Sequence, residues 1–313
     1  MKVVFFGTPE YAVPVLQAII DSKHEVVAVV SQPDKAKGRS NKLVPTPVKQ
    51  LANKYNIKVF QFDKIRCDDI SELLDIPADI YVTCAYGQIL GENVLYVKKH
   101  GVINLHGSLL PKYRGASPIQ CALINNDKVT GVTILKSEVG MDDGDILAKE
   151  SIVIDEEDNA ITLFEKLSIL SAKMIVPMLD KIEMGKAEYV KQDNQIATRC
   201  MMFTTEMGNV DFSMSATQLV GLIKGLAIWP NVRVTIDDIY FKLYNARVSN
   251  LDIPDINKVQ VGEVLVANNK QGLHIKCGEG VLEITELLPI NSKKMTAKSY
   301  LNGKIIKVGS VVK

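Results

Sequence analysis

Asn104 and His106 stand two apart behind the apolar residues Val102 and Ile103, at the head of the stretch NLHGSLLPKYRG, residues 104–115. In a strand, alternate side chains share a face, so these two lie about 7 Å apart along the backbone while Leu105 points into a core. A carboxamide and an imidazole at one strand end offer hydrogen-bond donors to a developing oxyanion. The same pair also reads as a polar strand terminus whose histidine is satisfied locally. The residues downstream weigh toward chemistry: Gly107 and Ser108 break the strand, Pro111 fixes a bend, and Lys112 and Arg114 bring charge beside the turn. A second chemical element is GMDDGDIL, residues 140–147, where Asp142, Asp143 and Asp145 flank Gly144. A calcium loop needs a longer ladder of oxygen ligands and a terminal glutamate, which this stretch lacks. One aspartate here is expected to orient His106 or act as a base, unless the stretch is simply a polar turn into a strand.

These groups need a sheet to hold them. Val3–Phe6 is an apolar run ending at Gly7, followed by a helical pattern through Val15, Leu16, Ile19 and Ile20 and a second run, Val26–Val30. That is a β-α-β opening, which implies a parallel sheet. Its turn has one glycine where a dinucleotide fingerprint has three, an argument against a nicotinamide cofactor. Gln32–Lys49 then sets Lys35, Lys37, Arg39 and Lys42 around Gly38. A basic loop with a glycine hinge suits phosphate, or it is a solvated surface loop. Further strands are expected at Val59–Phe60, Ile80–Cys84, Gly131–Leu135 and Ile146–Ile154, with helices at Asp69–Leu74 and Pro118–Ile124. In Ala85–Leu90, Gly87 permits close approach of backbone to a ligand. Leu163, Leu167, Leu170, Met174, Met178 and Ile182 mark a long amphipathic helix with core methionines, which Pro177 is expected to kink or split.

Lys186–Thr198 is polar and aperiodic, a linker by composition. Beyond it a helix over Ala216–Ile228 precedes five apolar runs at regular spacing, Val232–Ile236, Tyr240–Val248, Val261–Val266, Leu273–Cys277 and Val281–Leu287. Such spacing suggests a small β-barrel. Asn291–Gly303 adds a short basic helix with Lys293, Lys294 and Lys298.

Bulk properties bound the rest. A chain of 313 residues is long for one core, and two domains are expected. Hydrophobic residues make up 47% and charged residues 23%, an ordinary globular balance, and a net charge of +1 selects no partner. From Glu206 onward, 13 Lys and Arg face 10 Asp and Glu, a net +3 against −2 for the remainder, which permits a nucleic-acid contact there. The five cysteines are scattered without a C-x-x-C pair, as in a reduced protein without disulfides or a zinc site. No signal peptide or membrane-length apolar run is present, so a soluble, cytoplasmic protein is expected.

Over nearly its whole length the chain resembles the methionyl-tRNA formyltransferases. The stretches that carry the likeness are FFGTPEYAVPVL, QPDKAKGRSNKLVPTPVK, AYGQIL, INLHGSLLPKYRGASPIQ, GVTILKSEVGMDDGDIL and, more weakly, KKMTAKSYLNG. The resemblance implies an α/β fold: a Rossmann-like, mostly parallel sheet with helices on both faces at 1–187, a linker at 188–205, and a small OB-like β-barrel at 206–313 that binds tRNA. It implies transfer of the formyl group of 10-formyltetrahydrofolate to the α-amino group of initiator methionyl-tRNA, with no metal and no membrane, by a monomer. The catalytic residues of that family fall on Asn104, His106 and Asp142. Its folate site falls on Ser108, Leu109, Leu110 and Pro111 together with Tyr86, Gly87, Gln88, Ile89 and Leu90. Its acceptor-stem contact falls on the loop centred on Arg39, with Lys35, Lys37 and Lys42. Where relatives usually read Arg-x-x-Asn-Pro-Trp-Pro, this chain has Lys224, Ala227 and Ile228 before Trp229 and Pro230, and Met201–Met202 replaces a lysine common before the barrel. Two other readings keep parts of this picture. One is a folate-dependent formyltransferase acting on glycinamide ribonucleotide or an amino-sugar nucleotide. The other is an RNA- or folate-binding module without catalysis, against which the intact Asn104, His106 and Asp142 argue.

Overall fold

The computed structural model describes residues 1–36 and 43–313, and the chain divides into two compact units. The first comprises Met1–Pro118, Thr130–Ile152 and Phe164–Arg199. Its strands are β1 (Lys2–Gly7), β2 (Glu25–Ser31), β3 (Val59–Gln61), β4 (Ile80–Cys84), β5 (Val102–His106), β6 (Val129–Lys136) and β7 (Ile146–Val153). They form one sheet in the order β7-β6-β5-β4-β1-β2-β3. The pairs β1–β2, β1–β4, β2–β3 and β4–β5 are parallel, and β5–β6 is antiparallel. The sheet is therefore parallel through its centre and mixed at one side.

Val3–Phe6 and Ile80–Cys84 are buried at every position, not at alternate ones. Continuous apolar runs of this kind belong to strands covered on both faces. On one face Phe6 packs against Tyr81 and Tyr86, with ring centroids 5.2 and 5.5 Å apart. Helix α1 (Val13–Ile20) buries Val15, Leu16 and Ile19, and α2 (Pro47–Lys54) begins with Thr46 accepting from the Lys49 N–H and proline in its first turn. Helix α3 is Pro118–Ile124, and α4 runs unbroken over Ala160–Glu183. The expected split at Pro177 does not occur. Pro177 and Lys173, whose carbonyl lies four residues back, are both on the exposed face, so the acceptor that proline leaves unpaired is not buried in the core.

The second unit comprises Ile119–Val129, Val153–Leu163 and Cys200–Lys313. Helix α5 (Ala216–Gly225) opens with a capping box between Ser215 and Gln218, and ends three residues before the expected Ile228. Its sheet consists of β8 (Val232–Ile236), β9 (Ile239–Val248), β10 (Val264–Asn268), β11 (Gly272–Lys276), β12 (Val281–Pro289) and β13 (Met295–Thr296). The order is β8-β9-β12-β11-β10, antiparallel throughout, with β13 on β12. Asp237 and Asp238 have φ of +48° and +61°, the left-handed pair that a two-residue hairpin turn requires. Val264 bonds Gly309 and Ser310, while Thr235 and Lys313 exchange main-chain bonds of 2.7 and 3.0 Å. The last residues thus cover both outer strands, leaving neither edge open there. The expected basic helix is shorter than Asn291–Gly303: α6 is Ala297–Leu301, capped by Thr296, and Lys293 and Lys294 precede it. A threonine cap with Ser299 three residues on fixes the start later than the run of lysines suggests.

Candidate active site

Strand β5 ends at the carboxyl edge of the parallel strands, where open α/β sheets place their ligands. Its side chains alternate as expected: Leu105 is buried in the core, Asn104 is half-buried, and His106 is buried. Asp142 lies between the latter two. Asn104 Nδ2 is 3.5 Å from its Oδ1, and His106 Nδ1 is 3.6 Å from its Oδ2. Oδ2 also accepts the Gly115 N–H at 2.8 Å. The other imidazole nitrogen, Nε2, is 2.9 Å from the Tyr113 carbonyl. A carbonyl only accepts, so Nε2 carries a proton and Nδ1 is the nitrogen that faces Asp142. Of the three acidic residues of this turn, Asp142 is the one that meets Asn104 and His106. Asp142 has φ +52°, a left-handed conformation that tips its carboxylate back toward β5. Gly144 is obligatory two residues on, because a β-carbon there would sit 1.9 Å from the Lys136 carbonyl oxygen.

Thr83 completes the set. It lies opposite Asn104 in the β4–β5 register, and its hydroxyl donates to Asn104 Oδ1 at 2.8 Å. The amide's oxygen end is thereby occupied, and its N–H₂ end points to Asp142. Thr83, Tyr113 and Gly115 escape sequence reading because pairing register and turn geometry bring them in, not spacing. Nearby, burial pushes the Cys84 thiol and the Tyr86 hydroxyl up, so neither is a nucleophile or base at neutral pH.

Residues 1–179 match the formyl transferase family, and residues 202–304 match the formyl transferase C-terminal domain. The chain belongs to the formyl transferase family. It is 40% identical over 315 residues to a methionyl-tRNA formyltransferase of Caldanaerobacter subterraneus subsp. tengcongensis, covering 100% of both chains. It is 38% identical over 311 residues to one of Sulfurihydrogenibium sp., covering 99% of each. Among solved structures, an N-formyltransferase from Helicobacter canadensis in complex with folinic acid and dTDP-3-aminofucose superposes with a TM-score of 0.68. It shares 18% identity, over 94% of this chain and 100% of that one, a likeness of fold.

The positions expected to hold folate fall on two segments of the same unit. Ser108 is buried, its hydroxyl donating to the Lys112 carbonyl at 2.6 Å. Leu110 is buried too, its N–H on Thr133 Oγ1 at 3.1 Å and its carbonyl accepting from Lys149 Nζ at 3.0 Å. Leu109 is half-buried and Pro111 buried. Tyr86 belongs to the core, and Gln88 spans to the Phe62 carbonyl and the Ile65 N–H, each at 2.8 Å. Leu90 is half-buried, while Gly87 and Ile89 are exposed. Lys35 is exposed, whereas Lys37, Arg39 and Lys42 lie outside the described residues. Among the described residues, His24, Asp180 and Glu183 bring potential metal-ligand atoms within 4.8 Å of one another. Lys23 Nζ stands 2.9 and 3.3 Å from those two carboxylates, an ammonium already where a cation would bind.

Proposed function

We propose that this chain transfers the formyl group of 10-formyltetrahydrofolate to the α-amino group of methionine carried on initiator tRNA, giving N-formylmethionyl-tRNA for translation initiation. The observation that carries this reading is the convergence of Asn104, His106 and the Gly115 N–H on one carboxylate, Asp142. The full-length likeness to methionyl-tRNA formyltransferases supports the acceptor.

The donor supplies the formyl carbon; the chain supplies orientation and charge. Ala85, Gly87 and Ile89 are exposed in a loop with φ of +49° at Ala85 and +87° at Gly87, presenting main chain and one apolar side chain. That suits a flat heteroaromatic co-substrate recognised largely through the backbone, since the Gln88 and Ser108 side chains are hydrogen-bonded elsewhere and the Tyr86 ring is packed in the core. Asn104, its oxygen held by Thr83, directs N–H toward the oxyanion formed as the amine attacks. Loss of one such donor costs roughly 3 kcal/mol of barrier. His106 keeps Nε2 on Tyr113. With Nε2 committed there, Nδ1 donates to the oxyanion only as the imidazolium, whose second proton faces the Asp142 carboxylate 3.6 Å away. Asp142 takes up, through water, the proton that the attacking amine must lose; as the tetrahedral intermediate collapses the formyl carbon–N10 bond breaks and that proton passes to N10 of the departing tetrahydrofolate. The basic segment of Lys35, Lys37, Arg39 and Lys42 meets the phosphate backbone of the acceptor, giving salt-sensitive affinity.

The test is formyl transfer from 10-formyltetrahydrofolate to charged initiator tRNA, by the wild type and His106→Ala. The wild type is expected to turn over, with the variant about 100-fold slower. Equal rates refute the mechanism, and formylation of an amino-sugar nucleotide but not of the tRNA refutes the acceptor.

A further inference from the structure

The segment after α4, polar and aperiodic in sequence, is bonded to both walls of the candidate site. Val190 and Ile146 exchange main-chain hydrogen bonds of 2.8 and 2.9 Å, beside the Asp142 turn. Thr198 bonds the other wall, its N–H donating to the Pro111 carbonyl and its carbonyl accepting from the Arg114 N–H. Between these anchors lies Gln192. Its Nε2 donates to the carbonyls of Asp142 and Gly144, both at 2.8 Å. Its Oε1 accepts from Arg114, 3.1 Å from Nε and 2.8 Å from Nη2. Arg114 is buried, and Nη2 also donates to Asn194 Oδ1 at 2.8 Å. A guanidinium only donates and a carbonyl only accepts, so the Gln192 amide has one permitted orientation and both its ends are used.

These contacts close a ring. From the Arg114 guanidinium it passes through the Gln192 amide to the Asp142 carbonyl. From there it crosses to the Asp142 carboxylate, then to the Gly115 N–H, one residue from Arg114. The strained link is Asp142, whose left-handed φ an L-residue rarely adopts. A turn of that kind persists only where its surroundings over-determine it.

We propose that Gln192 is a positioning residue for formyl transfer: held by Arg114, it fixes the main chain of Asp142 and so the direction of its carboxylate toward Asn104 and His106. The proposal rests on the catalytic reading of Asp142. Gln192 touches no reacting atom. Its loss lets the turn relax, and misplacement of a catalytic group by about 1 Å costs up to about 100-fold in rate.

The experiment compares Gln192→Ala, Gln192→Glu, Asp142→Asn and Gln192→Ala/Asp142→Asn in the transfer assay, with thermal unfolding as the check on folding. Gln192→Ala is expected to lower kcat roughly 10- to 100-fold, with KM for the folate donor unchanged within about twofold. Gln192→Glu keeps a partner for Arg114 but has nothing to donate to the two carbonyls, so its kcat falls as far. It carries the test if the alanine variant does not fold. In the Asp142→Asn background, Gln192→Ala is expected to cost nothing further, because its effect runs through that carboxylate. Normal kcat in a folded Gln192 variant overturns the proposal, as does an equal loss in both backgrounds. If Asp142→Asn alone turns over like the wild type, the catalytic reading fails and this proposal falls with it. A slow Asp142→Asn beside a normal Gln192→Glu removes the proposal and leaves that reading standing.

Discussion

The chemistry open to Asn104 depends on which end of its amide faces the reacting carbon: the Asp142 carboxylate, which only accepts, takes the N–H₂ end, and Thr83 holds the other. The hydroxyl at 2.8 Å makes Oδ1 an acceptor already in use, so N–H is the end left for an oxyanion. Thr83→Val keeps the shape and removes that hold. We expect kcat to fall about 10-fold, the share of one misdirected donor, with the folate KM unchanged and stability lowered by about 1 kcal/mol. Steady-state kinetics with a thermal melt check this, and an unaltered kcat shows that Asn104 is oriented by something else. Spacing made Asn104 and His106 legible, because alternation along a strand is a property of the chain itself. It did not select among Asp142, Asp143 and Asp145. That choice comes from a left-handed φ at one of them and from the Gly115 N–H, which arrives from a separate turn. Gln192 was illegible for the same reason: a polar residue in a polar segment carries no mark of the carbonyls that it meets.

At the scale of elements, the β2–α2 connection leaves the sheet through a rigid base. Lys49 Nζ donates to Asp34 Oδ2 at 2.7 Å and Gln61 Oε1 at 2.6 Å, and Gln61 Nε2 donates to Asp34 Oδ1 at 2.7 Å and the Gln32 carbonyl at 2.8 Å. Above this base Lys35–Ala36 pairs antiparallel with Leu43–Val44. The side-chain bonds from Lys49 and Gln61 hold the Asp34 carboxyl below the usual carboxylate range. A carboxyl depressed by folding stabilises the native state above its unfolded value and ceases to do so as pH falls through its folded one. Asp34→Asn is therefore expected to cost about 1 kcal/mol at pH 7, a partly exposed ion pair with added hydrogen bonds. The gap to the wild type should shrink as pH drops below about 4. Thermal unfolding of both proteins across that range measures it, and a gap constant with pH assigns the loss to something other than the carboxylate's charge. The elements themselves read well from the sequence where burial repeats with a fixed period, as in β1, β4 and α4. They read poorly where an end is set by a single side chain, as at Thr296 for α6, or where exposure makes a breaker harmless, as at Pro177.

At the scale of the molecule, the compact unit built on the antiparallel sheet takes in two segments from earlier in the chain, Ile119–Val129 and Val153–Leu163. The first packs closely against the two glycines of α5. A β-carbon on Gly221 would be 2.5 Å from the Ile124 carbonyl oxygen, and one on Gly225 would be 2.6 Å from Ile124 Cγ1. The second is held by side chain to main chain bonds, from Lys224 to the Glu156 carbonyl, from Asn245 to the Glu157 carbonyl at 2.9 Å, and from Asn159 to the Tyr244 carbonyl at 3.2 Å. Lys224 is buried there, and burial lowers the pKa of its ammonium. A fragment of residues 1–187 keeps β1–β5 with their partners but deprives both segments of Gly221, Lys224, Asn245 and Tyr244. Hydrogen exchange on that fragment should find the strand amides still protected, with Ile119–Val129 and Val153–Leu163 exchanging at rates close to those of an unfolded chain. Protection equal to that in the intact protein would mean that these segments draw their order from the parallel sheet, and that the bonds from Lys224 and Asn245 result from their placement instead of causing it.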